Sequence, residues 1–359
     1  MNLGSMRFRS GLAGAALIAV SLPAWRYDRT AFLAAWLIAW CFCAWIAVGG
    51  LVVVWIHDLT GGRWGSPARP VALAAAGTLP WLALLFLPLL AGLGDLYPWA
   101  AQADRGPARW AGELSAPSFK DAWLQPEFFA LRAVAVLLLW NLLAWRARRR
   151  ASPGTAAASL ILWLISLGIA AADWIMSLAP LWYSSMFGFE AAAGQMLAGL
   201  AFAITAVCRR PGATHRTTRR DLGSLLFTAV LAWGYVAFCQ YLIVWSENLP
   251  HEIGWYEQRR ALPWPLLGWA VALLEFGLPF LLLLFRDIKD SAEHLSTVAV
   301  VVLGAQFLEL CWLILPSLAG RFGMRDAWWL LPLCTFGIAG VCRAGMPPVA
   351  SAARESGRG

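Results

Sequence analysis

AFLAAWLIAWCFCAWIAVGGLVVVWI, residues 31–56, holds no charged side chain. A helix needs about 20 consecutive apolar residues to cross the hydrocarbon core of a bilayer, and this run exceeds that. Working outward from it, similar runs fall at about 10–25, 70–93, 127–146, 156–178, 183–208, 222–246, 264–286, 294–316 and 327–343. Overall the chain is 60% hydrophobic and 13% charged, with a mean hydropathy of +0.64. A soluble domain carries about 25% charged residues. The expectation is an all-α polytopic membrane protein with about ten transmembrane helices. Residues 1–343 form a single integral membrane domain, and 344–359 form a disordered cytoplasmic tail. The first run follows Arg7 and Arg9 without a clear small-residue cleavage site, so a retained helix is favoured over a signal peptide.

The net charge of +8 does not indicate nucleic acid. The basic residues sit in short loops between apolar runs, where they set orientation. RARRRASPG (146–154) and RRPGATHRTTRR (209–220) are strongly basic, while the opposing LAPLW (178–182) is uncharged. Lysines and arginines fall about two to one on the side that holds both ends of the chain. Both termini are therefore expected in the cytoplasm of a bacterium, with the chain in the inner membrane. The long segment 94–126 and the stretch after the seventh run then lie outside, as candidate docking surfaces.

The seven cysteines lie in or at the ends of apolar runs and read as small hydrophobes. No spacing suits covalent haem or an iron–sulfur cluster. The four histidines, His57, His215, His251 and His294, offer no facing pair of haem ligands within spans. The chain is expected to bind no cofactor of its own.

Ionisable groups inside a span are costly and are usually paired or functional. Here they are Arg132, Asp173, Glu190, Glu275 and Glu309, with the amides Asn141, Gln195, Gln240 and Gln306. Gln306 and Glu309 are three apart and share a helix face, and Glu275 falls near the middle of its span. A string of carboxyls and amides can hold water and pass protons. Glu275, Glu309, Gln306, Glu190, Gln240 and Asp173, with His57 and Asp58 at the inner end of the second span, form the candidate proton path. The competing reading is that such groups staple helices together through interhelical hydrogen bonds, each worth about 0.6 kcal/mol on average. An isolated amide such as Gln195 suits that role better, and Asp173 suits a structural cap as well as a functional one. A candidate docking loop at the outer end of the seventh span carries Glu247, His251, Glu252 and Trp255.

Three segments together resemble a known family. They are IHDLTGGRWG (56–65), DWIMSLAPLWYSSMFG (173–188) and FCQYLIVWSENLPHEIGWYEQR (238–259). They look like the ActF subunit of alternative complex III, a quinol:cytochrome c or electron-acceptor oxidoreductase, itself similar to the ActC and NrfD membrane subunits. The resemblance implies two four-helix bundles, spans two to five and six to nine, and a subunit without redox cofactors. It implies partners: an ActC/NrfD-like membrane subunit, an iron–sulfur subunit and multihaem cytochrome c subunits. Quinol then binds at the level of the complex, and proton translocation is a proposed role. The chain departs from the family pattern at His57-Asp58, where a histidine pair is usual. It departs again at Ala179 and Leu181, where Asp and His are usual, and in SENLPHE (246–252). A stand-alone transporter and an assembly or scaffold protein are the alternative functions.

Overall fold

The computed structural model describes residues 3–101, 119, 122–149, 152–210, 214–320 and 324–349. Much of the expected docking segment 94–126, parts of both strongly basic loops, and the tail beyond 349 lie outside the described residues, as does the His251 side chain. The chain is an all-α, multi-pass membrane protein; among the described residues ten helical spans are long and apolar enough to cross a bilayer. In order these are α1 (Leu3–Ser21), α2 (Arg29–Thr60), α3 (Gly65–Ala91), α4 (Pro126–Arg149), α5 (Pro153–Trp174), α6 (Phe187–Cys208), α7 (Arg216–Glu247), α9 (Trp264–Leu284), α10 (Ala292–Leu318) and α11 (Met324–Gly345). Between α7 and α9, where the sequence reading placed a loop, lies the short helix α8 (Pro250–Glu257). Pro250 opens it at a first-turn position, where its missing N–H costs nothing.

The central element is α2, which contains the uncharged run 31–56. It is buried along almost its whole apolar run and packs against α3, α5, α6, α10 and α11. Its contact with α6 is backbone on backbone. A Cβ on Gly49 would fall 1.8 Å from the Gln195 carbonyl oxygen, and one on Gly199 2.1 Å from the Gly49 carbonyl carbon. Small residues let helices in a membrane approach this closely, and packing replaces the hydrophobic driving force that lipid does not supply. Helices α3, α4 and α5 gather on one side of this crossing, and α7, α9 and α10 on the other. The α1 helix packs along α11, which in turn lies on α2.

Prolines interrupt several spans, and in α3 and α9 each site has a repair. In α3 the helix restarts at Leu79–Leu84 and Leu87–Ala91, after Pro70 and around Pro80 and Pro88. Tight turns form there, with Phe86 N–H donating to the Ala83 carbonyl and Leu89 N–H to that of Phe86. The Trp40 and Trp36 indoles of α2 donate to the Leu82 and Leu85 carbonyls at 2.7 and 2.8 Å. A backbone group inside a bilayer must find such an internal partner. In α9 the turn Ala272–Gly277 is a π-helix, with Leu278 N–H reaching back to the Leu273 carbonyl. Pro279 follows directly. A proline ring clashes with the carbonyl four residues before it, here that of Glu275, and a widened turn relieves the clash.

Candidate functional site

The π turn sets the site. Glu275 sits on it and is fully buried. Facing it on α10, Gln306 is also fully buried, and Glu309 nearly so. The Gln306 amide NH2 donates both ways, to Glu275 Oε1 and, at 2.8 Å, to Glu309 Oε2. The Trp233 indole of α7 donates to the other Glu309 oxygen at 2.8 Å. Helix α6 supplies Gly194 beside the amide and, one turn earlier on the same face, the buried Glu190. Glu190 lies within electrostatic reach of Glu275 and Glu309. Four helices thus bring three carboxyls, one amide and one indole together. The expected trio of Glu275, Gln306 and Glu309 is one hydrogen-bonded unit.

At the α8 end of the same helices lies Arg259, which the sequence reading counted only as a loop charge. It is 4% exposed, and its partners are neutral. Its guanidinium donates to the Trp255, Leu313 and Trp312 carbonyls at 2.7, 2.9 and 3.3 Å and to Ser317 Oγ at 3.3 Å. The choice of carbonyls follows from Pro316 inside α10. Proline has no N–H for the Trp312 carbonyl, and its ring disturbs the neighbouring turn. Arg259 replaces the missing donor. The cation lies 3.3 Å from the centre of the Trp255 ring and 5.2 Å from that of Trp312, and Trp255 stacks on Trp182 at 4.6 Å. Burial pulls the Arg259 guanidinium down to about 9, opposed by the fields of Tyr256 and Glu190. It therefore remains a cation at neutral pH. The Tyr256 phenol is pushed up, chiefly by burial and also by Glu190.

Gln240 lies between these regions. It is buried, accepts from Ser184 Oγ at 3.2 Å, and is within hydrogen-bonding reach of Tyr256. The remaining expected residues sit elsewhere. Asp173 of α5 forms a two-pronged ion pair with Arg132 of α4, at 2.7 and 3.0 Å. The Trp123 indole adds a bond to the same carboxylate at 2.8 Å, and the Arg132 cation lies over the rings of Trp123 and Phe128. Asp58 pairs with Arg69 at 3.1 Å, and Arg69 continues to the Ala147 carbonyl at 3.2 Å. His57 Nε2 is 3.1 Å from the Gly62 carbonyl oxygen, and its ring packs edge-on to Trp64. His57 and Asp58 thus tie the turn between α2 and α3, at the other end of α2 from Arg29, whose neighbour is Asp95 of the α3–α4 connection. Gln195 accepts from the Trp163 indole at 2.5 Å, joining α5 to α6. In the expected docking loop Glu247 is exposed, whereas Glu252 and Trp255 are buried.

Beside α8 there is a half-open cavity of about 630 Å³. Ala179, Leu181, Trp182, Trp255, Gln258 and Ser317 are among its walls. A lateral groove of about 530 Å³ runs between α7 and the π turn, with Trp233, Gly234 and Phe276 at its floor. No protein-family model matches the chain, and no curated protein matches it in sequence.

Proposed function

We propose that the chain is a cofactor-free membrane subunit of a quinol-oxidising respiratory complex of the ActF type, and that its α6, α7, α9 and α10 helices carry protons. The observation that carries this reading is the Gln306 amide held between Glu275 and Glu309 at a π turn. π turns interrupt helices mostly at functional places. Carboxyls buried in a membrane and linked by one amide are expensive to retain as mere staples, because a neutral pair would join the helices at lower cost. The three segments that resemble ActF supply the identity of the complex. In that setting the chain lies in a bacterial inner membrane with both termini in the cytoplasm, and the α8 end faces outward. Quinol is oxidised on an ActC/NrfD-like neighbour, with iron–sulfur and multihaem cytochrome c subunits meeting the α8 face. Ala179 and Leu181, where an acid and a histidine are usual, leave the proton route to Glu190 rather than to the 178–182 turn.

The test of identity is purification of the tagged, full-length chain from its own membranes in mild detergent. The expected result is a stable assembly that contains iron–sulfur and multihaem cytochrome subunits and oxidises quinol. A chain that purifies alone and moves a solute across liposomes would replace this reading with that of a transporter.

A further inference from the structure

Three buried oxygens around the carboxyl cluster have no hydrogen-bond partner among the described residues: Glu190 Oε2, Glu275 Oε2 and Gln306 Oε1. Their residues are 5%, 0% and 0% exposed. An unsatisfied polar atom at such depth is costly, so three around one site call for a shared partner. One of them, Gln306 Oε1, faces a feature of α6. A Cβ on Gly194 would lie 3.1 Å from Gln306 Oε1, 3.2 Å from Glu309 Oε2 and 3.4 Å from Gln306 Nε2. Gly194 therefore opens a notch in the helix, and the amide and carboxyl oxygens point into it. Glu190 stands one turn away on the same face, about 6 Å along the axis.

We propose that the Gly194 notch binds a water molecule, or its protonated form, that links Glu190 to the Gln306–Glu309–Glu275 unit. Buried waters occupy polar sites and make about three hydrogen bonds to groups that are otherwise unpaired; a water donates two, to Gln306 Oε1 and Glu309 Oε2, and accepts the third from a protonated Glu190 carboxyl, while the protonated form donates all three. Gln306 spends both amide hydrogens on the two glutamates, so its oxygen is left to accept from the water. Glu309 Oε1 is occupied by the Trp233 indole, which leaves Oε2 facing the notch. The charged and titratable groups facing this site are Glu190 from α6, Glu275 from α9 and Glu309 from α10, with Arg259 acting on Glu190 from the α8 end. The water closes a gap between side chains that do not touch. Its role in transfer rests on the proton-path reading; its presence does not.

The test uses the full-length chain in lipid nanodiscs and infrared spectroscopy in H2(16)O and H2(18)O. The wild type is expected to show an isotope-shifted band of an internal water. Gly194→Ala, whose methyl takes the same space, is expected to lose it, as is Gly194→Ser, whose hydroxyl takes the place of the water oxygen. In the reconstituted complex, proton movement should then rank glycine first, serine second and alanine last. Simple crowding would make serine at least as damaging as alanine, and that order would overturn the proposal. So would a wild type without a water band, or a band unchanged in Gly194→Ala. If Gly194→Ala does not fold, loss of the band in Glu309→Gln or Glu190→Gln supports the site, and its persistence in both overturns it. If Glu275→Gln abolishes proton movement while both Gly194 variants match the wild type, the notch fails and the proton path stands. If none of the three alters proton movement, the proton path itself fails.

Discussion

Two buried carboxylate sites in this chain solve the same problem in opposite ways. Asp173 has a full counter-charge in Arg132, held by two short hydrogen bonds, with the Trp123 indole and two aromatic faces completing the shell. Glu275 and Glu309 share a neutral amide, Glu309 also accepts from an indole, and three oxygens around the cluster, Glu190 Oε2, Glu275 Oε2 and Gln306 Oε1, lack partners among the described residues. The first site is balanced in charge, one acid against one base, although Arg132 Nη1 has no hydrogen-bond partner among the described residues. The second has an excess of acid over base and spare acceptor atoms, which is the condition for taking up and releasing a proton. A buried ionisable group is thus a staple where its partner cancels it and a candidate relay where its partners do not.

The largest expected effect is on the balanced site. Asp173→Asn strands the Arg132 cation, and loss of one partner of a buried pair costs about 3–5 kcal/mol. Thermal denaturation in detergent should show a strong loss of stability or no recoverable protein. Replacement of both residues by apolar ones, Arg132→Met with Asp173→Leu, should recover most of it. A mild single variant would show that the pair is not the staple described.

Arg259 comes next. Arg259→Leu leaves the Trp312 and Leu313 carbonyls without their donor, at about 1–3 kcal/mol for each unsatisfied group. Lysine should not rescue it, because a single ammonium cannot reach several carbonyls as the planar fork does. Adding Pro316→Ala restores a backbone N–H to α10 and should lessen the loss. Stability of the double variant equal to that of Arg259→Leu alone would break the link to Pro316.

The smallest effect is expected where an amide joins two helices. Trp163→Phe removes one bond to Gln195, and interhelical hydrogen bonds in membranes average about 0.6 kcal/mol. The midpoint of denaturation should move only slightly. A large loss would move Gln195 from the class of staples to that of the site.

Most of the fold is legible in the sequence because a bilayer enforces one pattern, the long apolar helix, and residues 31–56 display it directly. The pairing of Gln306 with Glu309 also follows from helical spacing. Four features depend on tertiary packing. The π turn under Glu275 depends on how α9 relieves Pro279, and nothing local separates that outcome from a kink. The role of Arg259 depends on a carbonyl freed by Pro316, more than fifty residues away. Asp173 and Glu309 look alike in sequence, as acids within spans, and only the Arg132 side chain on a different helix tells them apart. His57 and Asp58 read as part of the polar string; in the structure they tie the α2–α3 turn, apart from the carboxyl cluster. One signal lies in the sequence: Pro279 follows Glu275 by four residues, and Pro316 follows by four the Trp312 whose carbonyl Arg259 takes.

The central claim is that the unbalanced cluster moves protons and the balanced pair does not. Its most direct test is Glu275→Gln in the assembled complex, reconstituted in liposomes, with electron flow and proton release measured together. Glutamine keeps the shape and the hydrogen bonding but cannot cycle a proton. The account predicts normal assembly with weakened quinol oxidation or weakened proton release. An assembled Glu275→Gln complex that matches the wild type in both would contradict it and make Glu275 one more staple.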